Sequence, residues 1–328
     1  MTVRGRVLAV VAVVLVVLAS AAVTLALLRG DGLAGLPGGA AEPAGSAEST
    51  RSLDSLDPAN APPIASQDAT ESTIDSAPNE RTPTAVELRE FDAAAAMIDV
   101  RALEAFGVRG GGSAAEAEAA EYLRSRLVEI GLAARVEEFE LPNGTTSRNV
   151  IARVAGSDDA VLVLGGHYDT KPPSPGANDN ASGCAALLEL AAILAEDPVV
   201  PTVEFVFFGS EEIIGGDPND HHFGSRYRVS QLSAAERDAT AGMISVDMIG
   251  YGPDFHSRTM GRGPQMLSDM LLARARDLGI PMTYRRDPGS SGWSDHESYE
   301  LAGIPASWIE WRDDPVYHTA GDTSGHLS

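Results

Sequence analysis

The amino-acid sequence predicts an α/β fold, a three-layer α/β/α sandwich with a mixed, largely parallel central sheet. Three observations support this. From residue 114 onward, segments of helical and strand character alternate along the chain. Several strand segments are unbroken apolar runs, as expected of strands covered on both faces. Residues with metal-binding chemistry fall just past the ends of those runs, where open α/β sheets collect their ligands.

Taken in order, residues 114–128 predict a helix with Ala119, Leu123, Leu127 and Ile130 on one face and Gly131 placed to stop it. A strand containing Val136 and Phe139 leads to the turn Pro142-Asn143-Gly144. Residues 149–154 and 161–164 read as paired, buried strands. Residues 182–196 form a helical segment, 202–208 a buried strand, 243–246 another, 265–278 a helix, and 306–309 a last strand. No internal repeat is visible. Once a non-globular beginning is set aside, the length matches one domain at the large end of the usual range.

The formal net charge is −23; residues 1–86 hold nine acidic and five basic side chains, so the remainder carries −19 of it. That balance argues against nucleic acid as a partner. It reads as a soluble, self-repelling surface and specifies no substrate. Cys184 is the only cysteine, which rules out both an intrachain disulfide and a cysteine-rich zinc site. Followed by Ala185-Ala186-Leu187-Leu188, it reads as a small core residue. A metal must therefore be held by His, Asp and Glu.

Arg4 and Arg6 precede an uncharged, Val/Ala/Leu-rich stretch over 7–28, which is closed by Arg29 and Asp31. Its twenty-two residues can span a bilayer. The stretch predicts a single-pass anchor in the cell membrane within residues 1–29, with the arginines cytoplasmic and the rest of the chain extracytoplasmic. Ala19-Ser20-Ala21 leaves a cleaved signal peptide and a secreted product as the alternative. Residues 30–86, rich in Gly, Ala, Pro and Ser, bury too little to offset chain entropy and read as a disordered linker. The folded domain is expected over 87–328.

The chemistry follows the strand ends. Residues 161–166 end in His167 and Asp169, and 203–208 are followed by Gly209-Ser210-Glu211-Glu212. Residues 243–246 run into Asp247, and the strand near Trp308 is followed by Tyr317-His318. Carboxylates and imidazoles at four such ends converge on one crevice, and uncompensated acids there would repel one another without a cation.

These residues, with the surrounding motifs, resemble the M28 metallopeptidases over roughly residues 86–328. The similarity is carried by His167-Tyr168-Asp169, Gly176-Ala177-Asn178-Asp179-Asn180-Ala181-Ser182-Gly183, Gly209-Ser210-Glu211-Glu212, Val246-Asp247-Met248, Ser294-Asp295-His296, Gly303-Ile304-Pro305 and Tyr317-His318-Thr319. Val108-Arg109-Gly110-Gly111-Gly112-Ser113, a weaker match, is similar to the segment that leads into the family's first helix. The resemblance implies two zinc ions, with Asp179 bridging both, His167 and Asp247 completing one, and Glu212 and His318 the other. Mixed N/O ligation with a shared carboxylate suits zinc and leaves positions open for substrate. The resemblance further implies that Asp169 steadies His167 and that Glu211 is the general base, moving a proton from a zinc-bridging water to the leaving amine. It casts Tyr317 as a phenol that helps polarise the scissile carbonyl. Consecutive residues in extended chain point apart, so one ligand and one base in Glu211-Glu212 is reasonable, but their order comes from the resemblance. The implied activity is that of a two-zinc aminopeptidase acting on peptides.

His167-Tyr168-Asp169-Thr170-Lys171 and Phe223-Gly224-Ser225-Arg226 are also similar to glutaminyl cyclases, single-zinc transferases on much the same scaffold. Carboxypeptidase-type relatives are a further alternative, because the metal shell does not choose the peptide end. The intact run around Asp179, together with Tyr317-His318-Thr319, favours the peptidase, and retention of every ligand and of Glu211 argues against an inactive module. Ser294-Asp295-His296 makes no serine hydrolase, since no Gly-x-Ser-x-Gly elbow occurs. His221-His222, in a Gly/Pro/Asn-rich stretch near Asp217 and Asp220, reads as a solvated loop. Pocket walls are expected in 253–263 and 284–293. Only ten residues follow His318, where the family usually adds a closing helix. The sequence leaves open a truncated chain or a domain closed without that helix, and marks His318 as the ligand held nearest a free end.

Overall fold

A computed structural model describes residues 89–197, 201–215 and 217–327; the anchor and linker expected over 1–29 and 30–86 lie outside the described residues. Helix α1 (Ala93–Ala105) starts at Asp92, whose carboxylate accepts the Ala94 and Ala95 N–H groups, and α2 (Ala114–Glu129) starts at Ser113, which accepts the Glu116 N–H. Helix α2 buries Ala119, Leu123 and Leu127, and the chain turns away at Gly131 with φ 98°, a conformation open to glycine. Strands β1 (Ala134–Glu140) and β2 (Thr146–Val154) then form a hairpin around the expected turn.

The chain continues through β3 (Asp158–His167), an irregular turn at Ala177–Ser182, α3 (Gly183–Glu196), β4 (Pro201–Phe208), α4 (Phe223–Gln231), α5 (Ala234–Ala239) and β5 (Thr240–Val246). It ends with β6 (Asp254–Thr259), α6 (Met266–Asp277), β7 (Met282–Arg286), α7 (His296–Leu301), β8 (Ala306–Arg312) and α8 (Ser324–Leu327). No helix among the described residues is long and apolar enough to cross a membrane.

All eight strands form one mixed sheet in the order β1-β2-β4-β3-β5-β8-β6-β7. The middle strands β4, β3, β5 and β8 run parallel, while β2 is antiparallel to β4 and β6 to β8. One expectation needs correction. The strands of 149–154 and 161–164 are both buried but do not pair, because β4 lies between them. The reason is burial: from Val203 to Phe208 every β4 side chain is covered, so this strand stabilises the fold most where it has a neighbour on each side.

Alternation along the strands divides the core. Val150, Leu164, Phe205, Phe207, Ile244 and Ile309 face α1, α2, α3 and α6, whereas Ile151, Val163, Val206, Phe208 and Met243 face the layer of α4 and α7. Each such side chain, taken out of water, is worth about 1.5–3 kcal/mol. The three layers follow from this two-sided apolar sheet. Gly166 and Gly183 let α3 approach the sheet, since a Cβ at either would come within 2.6 Å and 2.2 Å, respectively, of the Val246 carbonyl oxygen.

Candidate metal centre

Because β4, β3, β5 and β8 are adjacent and parallel, their carboxyl ends deliver side chains to one cleft. His167 ends β3, Asp247 follows β5, Glu211 and Glu212 follow β4, and His318 lies in the loop after β8. Asp179 joins them from the turn ahead of α3.

The five side chains expected to bind metal form two groups that share one residue. In the first, His167 Nε2 is 3.2 Å from Asp179 Oδ1 and 3.4 Å from Asp247 Oδ1. In the second, His318 Nε2 is 3.0 Å from Asp179 Oδ2 and 2.8 Å from Glu212 Oε1. Asp179 thus offers one oxygen to each group. A tetrahedral ion with ligand bonds of about 2.0–2.1 Å has donor atoms about 3.3 Å apart, so the first group matches that spacing and the second is slightly tighter. Asp247 Oδ2 accepts a hydrogen bond from Ser294 Oγ at 2.9 Å, while its buried Oδ1 has no hydrogen-bond partner. An orphaned buried oxygen is costly, and one aimed into a His/Asp/Glu cluster fits a divalent cation of zinc's ligand preference.

The electrostatics point the same way. Burial would lower the His167 pKa, but the charges of Asp247 and Glu211 outweigh it and raise it well above the usual value. Burial likewise opposes, and the Asp179 and Glu212 contacts overcome it, at His318, lifted to about 9. Glu212 is pushed up to about 8 by burial and by the Asp179 charge. Burial would raise Asp179, but its contacts with the two imidazoles hold it down. The imidazolium charges offset the clustered carboxylates, which is the role a bound cation takes over. At Glu211, burial is likewise outweighed by the charges of His167 and His222, and its pKa falls below the ordinary value.

Asp169 is fully buried behind the cluster. Its carboxylate accepts the N–H groups of Glu211 at 2.9 Å and Glu212 at 3.1 Å, and its backbone oxygen lies 3.2 Å from His167 Nδ1. One residue therefore ties the β3 end to the β4 end. Tyr317 is half exposed and stacks on the His318 ring at 3.6 Å between centroids. Partial burial and the nearby Asp179 and Glu212 charges keep its phenol protonated.

Several supporting residues were not found from the sequence. Asp322 accepts the N–H groups of Asn178 at 2.7 Å and Asp179 at 3.1 Å, which fixes the turn carrying the shared carboxylate. Asp322, the His326 contact to Asp314 at 2.9 Å and buried Leu327 hold down the chain after His318. Arg109, in the weakest of the matching motifs, is completely buried and donates to the backbone oxygens of Tyr168, Leu103, Pro175 and Gly176. An arginine among glycines just ahead of α2 was the available signal. Glu116 accepts from Ser147, Ser210 and the Gly112 N–H below the Glu211-Glu212 turn.

Two expectations fail here. His221 and His222 are not solvated, being 7% and 3% exposed, because residues 209–211 and 222–224 pair backbone to backbone and fold the loop against the site. Residues 253–263 do not line the cleft, since most of them form β6 and Phe255, Ser257 and Arg258 are buried within the sheet. The cleft of about 270 Å³ is walled by Ser291, Gly292 and Trp293, which fall within the expected 284–293, and by Met248 and Trp308. A larger cavity of about 580 Å³ beside α1 holds none of the clustered ligands.

The model of peptidase family M28 matches residues 149–328, from β2 onward. Leupeptin-inactivating enzyme 1 of Streptomyces exfoliatus is 31% identical over 70% of this chain and 50% of its own length. Aminopeptidase YwaD of Bacillus subtilis is 30% identical over 56% of this chain and 41% of its own. The chain thus spans half or less of the length of these curated relatives. Among solved structures, an aminopeptidase from Aneurinibacillus sp. strain AM-1 superposes with a TM-score of 0.66 at 19% identity, covering 73% of this chain and 90% of that one. The glutaminyl cyclase of Bacteroides thetaiotaomicron gives 0.65 at 23%, covering 74% and 93%. Both share the fold.

Proposed function

The chain belongs to peptidase family M28, and from that premise we propose that it is a two-zinc aminopeptidase, releasing N-terminal amino acids from peptides. The observation that carries the proposal is Asp179, which presents Oδ1 to His167 and Asp247 and Oδ2 to Glu212 and His318. A single-ion site has no need of that division. Zinc held there supplies Lewis-acid polarisation of a carbonyl and acidifies a water at neutral pH. The protein's own contribution is positional. Glu211, ionised and beside the shared carboxylate, receives the proton of the attacking water and returns it to the leaving amine. Tyr317, protonated at the rim, donates toward the scissile carbonyl oxygen. Asp169 holds the backbone of both glutamates, so base and ligand keep a fixed separation. The apolar stretch 7–28 supports an anchored enzyme that works outside the cytoplasm.

The test is metal analysis combined with product analysis. We expect about two zinc ions per chain, release of free amino acids from unblocked peptides, and loss of that activity with a chelator. Glu211→Gln is expected to keep its zinc and lose about 1000-fold or more in kcat. One zinc with cyclisation of N-terminal glutamine, and no amino acid released, would establish a cyclase instead. Release from the carboxyl end would reassign the peptide polarity.

A further inference from the structure

The strongest feature that the proposed reaction leaves unused is the buried group beside Glu211. The segment between Glu212 and Phe223 leaves the site and returns to it: Ile214 N–H reaches the Asp220 oxygen, and the N–H groups of His222, Phe223 and Gly224 reach the oxygens of Glu211, Ser210 and Gly209. His222 is thereby placed opposite the glutamate pair. Its backbone is left-handed, with φ 56°, a conformation costly for a residue with a Cβ and found where surroundings enforce it. From there its Nε2 lies 2.9 Å from Glu211 Oε1.

On the far side of the ring, Nδ1 lies 3.7 Å from Glu297 Oε2 and has no hydrogen-bond partner. Glu297, at the start of α7, is itself fixed by the Gly292 N–H at 2.5 Å and by Arg226 at 2.8 Å. His221 packs edge-on against His222 at 4.1 Å between centroids. His221, His222 and Glu297 could by composition hold a metal, but the Arg226 guanidinium is 3.4 Å from His221 and 2.8 Å from Glu297. A cation already occupies that corner. What remains is an imidazole between two carboxylates, one anchored to the scaffold and the other facing the cleft.

We propose that His222 is a positioning residue for Glu211, donating from Nε2 to Oε1 so that the other oxygen, Oε2, is presented to the attacking water. The inference rests on reading Glu211 as the base. It assigns a purpose to the loop of 213–221, which carries His222 back to the site. Truncating the imidazole frees the Glu211 carboxylate to rotate away from its productive orientation, and it does so without touching any of the five ligands.

The experiment compares His222→Ala and His222→Gln in the zinc-loaded full chain. For His222→Ala we expect undiminished zinc content, KM within about threefold, and kcat lower by about 10–100-fold. The Gln amide nitrogen can reach the place of Nε2, so His222→Gln recovers most of that loss. Adding His222→Ala to Glu211→Gln costs less than about twofold further, because the two act as one unit. Loss of zinc, a KM effect alone, equal loss in both variants, or additive losses in the double variant would each overturn the assignment. A readout independent of turnover is the ¹⁵N spectrum of the metal-free chain. The His222 imidazole signals should move in Glu211→Gln, and unmoved signals overturn the contact. That measurement holds even if the wild-type chain releases no amino acid, a result that would sink the peptidase reading and not the contact.

Discussion

The two halves of the candidate metal centre differ in how they are built. His167 and Asp247 are 1% and 3% exposed and sit at the ends of neighbouring parallel strands, β3 and β5, whose register sets their spacing. The His318 side chain is 19% exposed, and Glu212 and His318 come from loops, one after Ser210 at φ 51° and the other itself at φ 57°. One half is fixed by the sheet, the other by strained turns, of which Asp169 and Glu116 hold the one at Ser210, while Asp322 holds the turn of the shared Asp179. A strand-borne site gains rigidity, and a loop-borne site can yield during substrate entry and product release. The loop-borne half should therefore be the weaker metal site.

The sharpest break is at the shared residue. Asp179→Asn removes a charged oxygen from both halves at once, and we expect most of the metal to be lost and kcat/KM to fall about 1000-fold or more, equivalent to about 4 kcal/mol of barrier. Retention of two ions would show that the halves do not depend on one carboxylate. Next, His167→Ala and His318→Ala should differ in kind. Removing His167 leaves the buried Asp247 unpaired, costs about 3 kcal/mol in urea unfolding of the metal-free chain, and empties the sheet-borne half. His318→Ala should leave metal-free stability within about 1 kcal/mol and keep one zinc per chain. Equal unfolding costs would erase the distinction.

A pH measurement addresses the support beneath the loop-borne half. Burial, followed by the Asp169 charge, raises the Glu116 pKa from 4.5 to about 7. Below pH 4.5 this carboxyl is protonated in both folded and unfolded chains and adds no pH dependence. As pH rises to about 7 the unfolded chain ionises first, so stability declines, and above the folded value the full cost is present. That cost is about 3 kcal/mol at 1.36 kcal/mol per unit. Glu116→Gln should flatten unfolding free energy against pH across this window relative to wild type, and an unchanged slope would remove Glu116 from the account. The smallest effect belongs to Tyr317→Phe, with kcat expected to fall about threefold to tenfold, or about 1 kcal/mol, at unchanged zinc content. A loss as large as that of Glu211→Gln would move Tyr317 from the rim to the centre of the reaction.

Local pattern determined the fold class and the strand-end members of the site, whereas Asp179 and the roles of the residues came from the family resemblance. The alternating segments announced an α/β sheet, and the apolar runs before His167, Glu211 and Asp247 placed those residues at strand ends. Both depend on neighbours in the chain, so one sequence suffices to read them. Contacts between distant segments decided the rest. Strand β4 entered between β2 and β3 because a strand buried on both faces needs two partners. The division of Asp179's two oxygens between His167 and His318 depends on a turn held by Asp322, 143 residues downstream. His222 looked solvated among Gly, Pro, Asn and Asp, and became buried only when the backbone of 222–224 closed on that of 209–211. A residue's local company sets its intrinsic preference, but its charge state and its partners are set by what the folded chain brings to within about 3 Å of it.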